Sequence, residues 1–291
     1  MNERPSSPTP IRFDDQVAVV TGAGRGLGAA YAQLLASRGA RVVVHDAGVA
    51  PDGSGFDPSV ADGVVRQIIA AGGSAVACHE NLEDAAACRR VIAFAVDTFG
   101  RLDVLIHNAG LVIFASLEET TPQIWNRMVA LGVHAPFHLL QSAIPHMVRQ
   151  TYGRVVLTTS GRALRVADNV PGLTAYTVGK MAQLGLMVGV AAETQDAGIR
   201  INAISPVAAT RVLRRHAPEL KPELVAPGVA FLASSACDVS GVVLSAAGGR
   251  FSPAQWTGAA GVDFGSVPVA PETIAARWPD IVGTAFRSVH G

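Results

Sequence analysis

Short apolar runs recur along the chain at 17–20, 42–44, 75–77, 104–106, 155–157, 199–204 and 242–244. Polar residues do not alternate regularly through them, so both faces of each strand-like run are expected to be buried. Between most of them lie stretches of helical composition, at 27–37, 60–71, 83–99, 122–149, 175–196 and 222–233. This alternation predicts an α/β fold: one doubly wound parallel sheet of about seven strands with helices on both faces. Right-handed crossovers would then place a ligand crevice at the C-terminal ends of the strands. No internal repeat interrupts the pattern. Residues 1–12, polar and proline-containing, read as a disordered tail; residues 13–291 read as a single domain with a C-terminal extension from about 248. The Gly-, Pro- and Asp-rich stretch 48–59 reads as a mobile surface loop rather than a ligand lid.

Composition narrows the function classes. A chain of 291 residues with 49% hydrophobic content can bury a full core. Lys+Arg and Asp+Glu both count 23, and the resulting zero net charge argues against nucleic acid as a partner. Cys78, Cys88 and Cys237 form no C-x-x-C pair and leave an odd number, which fits a reducing, cytoplasmic setting. No run reaches the ~18 apolar residues of a membrane span, so no membrane partner is expected; the small-residue run 184–192 reads as a buried helix. The chain ends Ser288-Val289-His290-Gly291, which is no peroxisomal address.

The candidate chemistry begins at Thr21-Gly22-Ala23-Gly24-Arg25-Gly26-Leu27-Gly28, between the first strand and the first helix. A strand that turns on glycines into a helix N-terminus is how a Rossmann unit holds a pyrophosphate. Gly22, Arg25, Gly26, Leu27 and Gly28 are therefore candidate cofactor contacts. Asp46 follows the second strand directly, where a carboxylate can accept hydrogen bonds from the adenosine ribose and repel a 2′-phosphate. Arg25 pulls the other way, because a cation in the turn could pair with that phosphate. The carboxylate stands nearer the discriminating hydroxyl, which favours NAD over NADP.

Further motifs follow in order: His107-Asn108-Ala109-Gly110 after the fourth strand, Ser160 after the fifth, and Tyr176-x-x-x-Lys180. Together with the glycine turn they resemble the short-chain dehydrogenase/reductase family, over about 13–244. The resemblance implies that Asn108, Ala109 and Gly110 line the cofactor, that Glu80 and Asn81 lie near its adenine, and that Pro206 and Val207 lie near its nicotinamide. It also implies that Ser160, Tyr176 and Lys180 are catalytic. The family commonly forms homodimers or homotetramers through its long helices.

The chemistry of that trio is physical. On one helix, i,i+4 spacing puts Tyr176 and Lys180 on the same face. A free phenol has a pKa near ~10, too high for a base at neutral pH, and a neighbouring cation lowers it. Lys180 would also hold the nicotinamide ribose, and Ser160 would donate to the substrate oxygen.

Several positions depart from the family pattern. Val207 stands where Pro-Gly is usual. Ser160 precedes Tyr176 by 16 residues, about three more than usual, and the extra length falls in 162–172. Gly132 stands where the family has asparagine, and Pro136, four residues on, lacks an N–H. In a helix this would free the Gly132 carbonyl, which is expected to hold the water of a proton relay; a kinked helix without a catalytic role explains the same residues. His134 and His138 have metal-compatible spacing but no evident third ligand, so no metal site is expected. Arg211, Arg214, Arg215 and Lys221 read as a solvated face that could also meet coenzyme A phosphates.

Within the family, 38–46, the loop after it and 220–227 resemble the hydroxyacyl-CoA dehydrogenase part of peroxisomal multifunctional enzymes. That resemblance implies a small-molecule alcohol or ketone substrate of the 3-hydroxyacyl-CoA type. A steroid or terpenoid alcohol is the alternative substrate, and a non-catalytic dinucleotide sensor or subunit is the alternative class.

Overall fold

The structure, a computed structural model, describes residues 9–50, 52–209, 217–254, 258 and 260–290. Eight strands form one sheet in the order β3-β2-β1-β4-β5-β6-β7-β8. They are β1 (Val17–Thr21), β2 (Arg41–His45), β3 (Ser74–Cys78), β4 (Val104–His107), β5 (Gly153–Thr158), β6 (Ile199–Val207), β7 (Val243–Ala247) and β8 (Arg250–Ala254). The first seven are parallel; β8 pairs antiparallel with β7. The order reverses between β1 and β4, which opens a crevice beyond their C-terminal ends.

The seven expected strands are present, and β8 is an addition. Gly248 and Gly249, with φ of +54° and +80°, make the two-residue turn between β7 and β8. That turn type needs two left-handed residues, and glycine supplies both without a steric penalty. Pro253 is tolerated because β8 is the sheet edge.

Side chains of β1 divide by alternation. Ala18 and Val20 enter a core with α1 (Gly26–Ser37), α2 (Ser59–Ala70) and, later in the chain, residues of 226–232. Val17 and Val19 enter the opposite core with α3 (Ala85–Phe99) and residues of 135–147 and 184–187. A strand buried on both faces serves two helical layers at once, which is why its sequence reads as continuously apolar.

The helical stretch expected over 122–149 is three pieces. α4 (Pro122–Val129) passes through a π-helical turn at Ala130–His134 into α5 (Ala135–Gln150). Beyond β5 come the short α6 (Gly161–Leu164), α7 (Thr174–Glu193), α8 (Ala226–Leu232) and α9 (Pro271–His290), the last interrupted at Gly283 by a φ of +64°. Residues 1–8 of the expected tail lie outside the described residues. Within 9–12, Ile11 packs on the core and its carbonyl accepts from Arg38, so this stretch is anchored.

Candidate active site

The glycine turn is sterically enforced. Gly22 and Gly26 adopt φ of +63° and +53°. A Cβ on Gly22 would stand 2.8 Å from the Cα of Ala109, and one on Gly28 would run into the Gly22 carbonyl. Asn108 ties the turn to β4: its Nδ2 donates to the carbonyls of Gly22 (3.0 Å) and Thr21 (3.2 Å). Arg25, the residue before α1, gives the helix no side-chain cap. Its first amides are thus left for an anion, and the positive helix end favours one.

Asp46 closes the other side. Its Oδ2 accepts from Gly24 N at 2.9 Å and its Oδ1 from Gly48 N at 2.8 Å. The carboxylate is thereby fixed against the glycine turn, with lone pairs to spare. Arg25 leans away, donating to the Val49 carbonyl at 3.3 Å. Glu80 is drawn toward α3 by a two-pronged contact with Arg90 (2.8 and 2.7 Å), and Asn81 caps the Glu83 amide. For both, the sequence-implied adenine contact competes with a local partner.

The stretch 48–59, expected as a surface loop, is bonded to α4 through Asp52 and Gly53. Arg127 of α4 donates to the carbonyls of Asp52 (2.9 Å) and Gly53 while its Nε pairs with Glu83 at 2.8 Å. A single guanidinium therefore joins this strap to α4 and to the segment preceding α3. Three carbonyl and carboxylate acceptors match its fork of donors.

Ser160, Tyr176 and Lys180 converge at the end of β5. Tyr176 and Lys180 lie on α7, with Lys180 Nζ 5.8 Å from the centre of the Tyr176 ring. Ser160 lies close enough to Tyr176 to favour its phenolate, as does the Arg162 guanidinium, but burial outweighs both and raises the phenol's pKa. The expected lowering by Lys180 is absent in this arrangement. Its ammonium sits beneath the ring and donates instead to the Thr158 carbonyl at 2.7 Å. Burial brings Lys180 down to about 8.

Gly110 faces this lysine: a Cβ there would be 3.6 Å from Nζ. Lys180 carries three donors, and one goes to Thr158. A buried ammonium with donors to spare, beside an uncapped helix end and a fixed carboxylate, fits a dinucleotide lying across the crevice.

Beside the trio is a cavity of ≈ 10 Å³, the room of about one water, lined by Gly110, Leu131, Gly132, Tyr176, Lys180 and Gln183 among others. The π-helical turn changes the carbonyl expected to be free. In a π-turn the donor comes from five residues ahead, as Ala135 N to Ala130 O shows. Pro136 therefore withholds the π-type bond from Leu131, not only the α-type bond from Gly132.

His107 meets this turn from below. Thr21 Oγ1 accepts from the amides of Asn108 and Ala109, both at 3.1 Å, so its own proton must go to His107 Nδ1 at 3.1 Å. The ring proton then belongs on Nε2, which lies near the Leu131 backbone without a well-formed hydrogen bond. Burial, with Lys180 nearby, lowers His107 to about 3 and keeps it neutral.

At the far side of the crevice β6 runs on through Pro206 and Val207, paired with Ala246 and Ala247. A β-branched residue in place of the usual glycine suits this extension. Arg211, Arg214 and Arg215 lie outside the described residues. Among the described residues no three His, Cys, Asp or Glu side chains converge as a metal site would require.

The short chain dehydrogenase family model matches residues 16–219. The chain belongs to this family. It is 41% identical over 249 residues to peroxisomal multifunctional enzyme type 2 of Drosophila melanogaster, covering 84% of this chain and 41% of that one. The chain thus spans about two fifths of that relative's length. The crystal structure of a short chain dehydrogenase from Mycobacterium avium superposes with a TM-score of 0.81 at 34% identity, covering 93% of this chain and 96% of that one. A metagenomic short-chain oxidoreductase in complex with NADP gives a TM-score of 0.65 at 32% identity, covering 76% and 91%. This short chain dehydrogenase is accordingly an oxidoreductase that uses a nicotinamide cofactor.

Arg162, Thr158 and Gly179 were not singled out from sequence as site residues, and His107 stood there only as the first residue of the Asn108 motif. Of the first three, only Gly179 left a local signal, a glycine inside the Tyr176–Lys180 turn.

Proposed function

We propose that the chain oxidises a secondary alcohol to a ketone, or runs the reverse reaction, on a 3-hydroxyacyl-CoA-like substrate with NAD. The observation that carries the reading is the convergence of Ser160, Tyr176 and Lys180 beside the glycine turn. The multifunctional enzymes among its relatives support the acyl substrate, and Asp46 supports NAD.

Bound in the crevice, the nicotinamide supplies the hydride acceptor. Ser160 holds the substrate oxygen by a hydrogen bond, and Tyr176 takes the hydroxyl proton as phenolate. Lys180, once an anionic or polar group draws it from Thr158, holds the ribose hydroxyls and favours that phenolate. Gly22, Gly26, Leu27 and Gly28 would present backbone amides to the pyrophosphate, while Asn108, Ala109 and Gly110 would line the cofactor. Val178, Met181 and Val188 leave an exposed apolar face on α7, through which the chain assembles as a dimer or tetramer.

The test is a spectrophotometric panel of 3-hydroxyacyl thioesters and steroid alcohols with NAD and NADP. Turnover of a hydroxyacyl thioester with NAD is the expected result, and Tyr176→Phe should remove at least about 100-fold of the rate while cofactor affinity stays unchanged. Turnover confined to steroid alcohols would replace the substrate, and a preference for NADP would replace the cofactor.

A further inference from the structure

The longer segment between Ser160 and Tyr176 carries a cation that the reaction above does not use. Arg162 stands two residues past Ser160, and its amide donates to the Ser160 hydroxyl at 3.3 Å. Its guanidinium is half-buried and donates to the Asp168 carbonyl at 3.2 Å. The Asp168 carboxylate is turned elsewhere, accepting from Arg165 Nε at 2.8 Å. Among the described residues no carboxylate pairs with Arg162.

A partly desolvated guanidinium has five donors, and here it has no counter-charge. It is also close enough to Tyr176 to favour the phenolate, which places positive charge beside the group that would face the carbinol. The loop fixes that position: Gly172, at φ +85°, gives its carbonyl to Ala115 N at 3.0 Å, and Asn169 Nδ2 donates to Thr177 Oγ1 at 3.1 Å. Arg165 neutralises the nearest carboxylate and so leaves Arg162 uncompensated on the catalytic side.

We propose that Arg162 determines specificity by receiving the acyl oxygen of the substrate, as a carboxylate or as a thioester carbonyl, next to the carbinol. The inference rests on the acyl-substrate reading above and adds the residue that recognises it. A carboxylate would take two parallel N–H bonds, and a thioester carbonyl would take one.

The test compares the wild-type chain with Arg162→Ala, Arg162→Lys and Arg165→Ala on 3-hydroxybutyryl-CoA, 3-hydroxybutyrate and butan-2-ol with NAD. The readout is the kcat/KM ratio of each acyl compound to butan-2-ol, in which any shared effect on Tyr176 or on loop order cancels. Arg162→Ala should lower that ratio by about 10- to 100-fold, the range for a lost charged hydrogen bond. Arg162→Lys should restore part of the ratio, and Arg165→Ala, which frees the Asp168 carboxylate to pair with Arg162, should lower the ratio in the same direction. The larger fall identifies which form of the acyl oxygen is bound. Turnover of an acyl compound with an unchanged ratio in Arg162→Ala overturns this inference and leaves the acyl reading standing. No turnover of either acyl compound by the wild-type chain overturns both.

Discussion

Gly132 and Gly179 cross with no room for a side chain on either. A Cβ on Gly132 would stand 2.8 Å from the Cα of Gly179, and one on Gly179 would stand 3.0 Å from the Cα of Gly132. The π-helical turn thus packs backbone to backbone against the helix that carries Tyr176 and Lys180. Gly132→Ala sets two effects against each other. Alanine is worth about 1 kcal/mol over glycine in a helix, but the clash is with backbone, which cannot rotate away. Overpacking of that kind costs about 1–3 kcal/mol and should win. Gly63 of α2, where a Cβ would meet only the Arg66 guanidinium at 3.8 Å, provides the control. Denaturant midpoints should fall for Gly132→Ala and rise slightly for Gly63→Ala. Displacing α7 should also cut kcat by about tenfold or more, since a shift of ~1 Å can cost 100-fold.

Burial of Lys180 has a consequence for stability. Its folded pKa of about 8 lies below the usual lysine value of ~10.4. Below pH 8 both states carry the proton and the slope is flat; between about 8 and 10.4 the unfolded chain holds a proton that the folded chain does not. Stability from this group therefore rises with pH across that window, by an amount on the order of 3 kcal/mol. Lys180→Met should be more stable than the wild-type chain at pH 7, with the difference shrinking by pH 10.5 in urea titrations. Lys180 and Lys221 are the chain's only lysines, so the titration can also be followed on isotope-labelled side-chain carbons.

Arg127 is the clasp of the strap over the cofactor side. Arg127→Ala removes its bonds to Asp52, Gly53 and Glu83, each worth about 1.5–3 kcal/mol when a charged group is involved, less what water restores. Ala50 and Gly53 amides, which bond within the strap, should exchange with solvent at least about tenfold faster. The KM for NAD should rise with little change in kcat. Unchanged exchange at both amides would show that the strap holds itself together without Arg127.

Much of the fold is legible in local pattern. Val17 to Val20 are apolar without alternation because the strand faces two helical layers, and any sequence reader can see that. Gly248-Gly249 was an equally readable hairpin signal for β8, hidden only by the weak strand character of Arg250–Ala254. The π-helical turn was not legible, since 130–134 has ordinary helical composition and the inserted bond register depends on packing against α7. Pro136 pointed to an irregular helix; which carbonyl it deprives follows from the register, and the register is tertiary.

The sequence by itself determined the identities and order of the candidate site groups. Thr21 to Gly28, Asp46, Asn108, Ser160, Tyr176 and Lys180 sit at spacings dictated by strand ends and one helical turn, which are local properties of the chain. Only the tertiary structure decided their partners. Lys180 bonds Thr158 rather than lying at the phenol oxygen, Arg165 takes the carboxylate that would otherwise neutralise Arg162, and His107 accepts the hydrogen bond of the Thr21 hydroxyl. Each of these is a competition among buried donors and acceptors brought together from distant parts of the chain or across a folded loop. Such competitions are settled by desolvation and geometry, and neither is written in a residue's neighbours along the sequence.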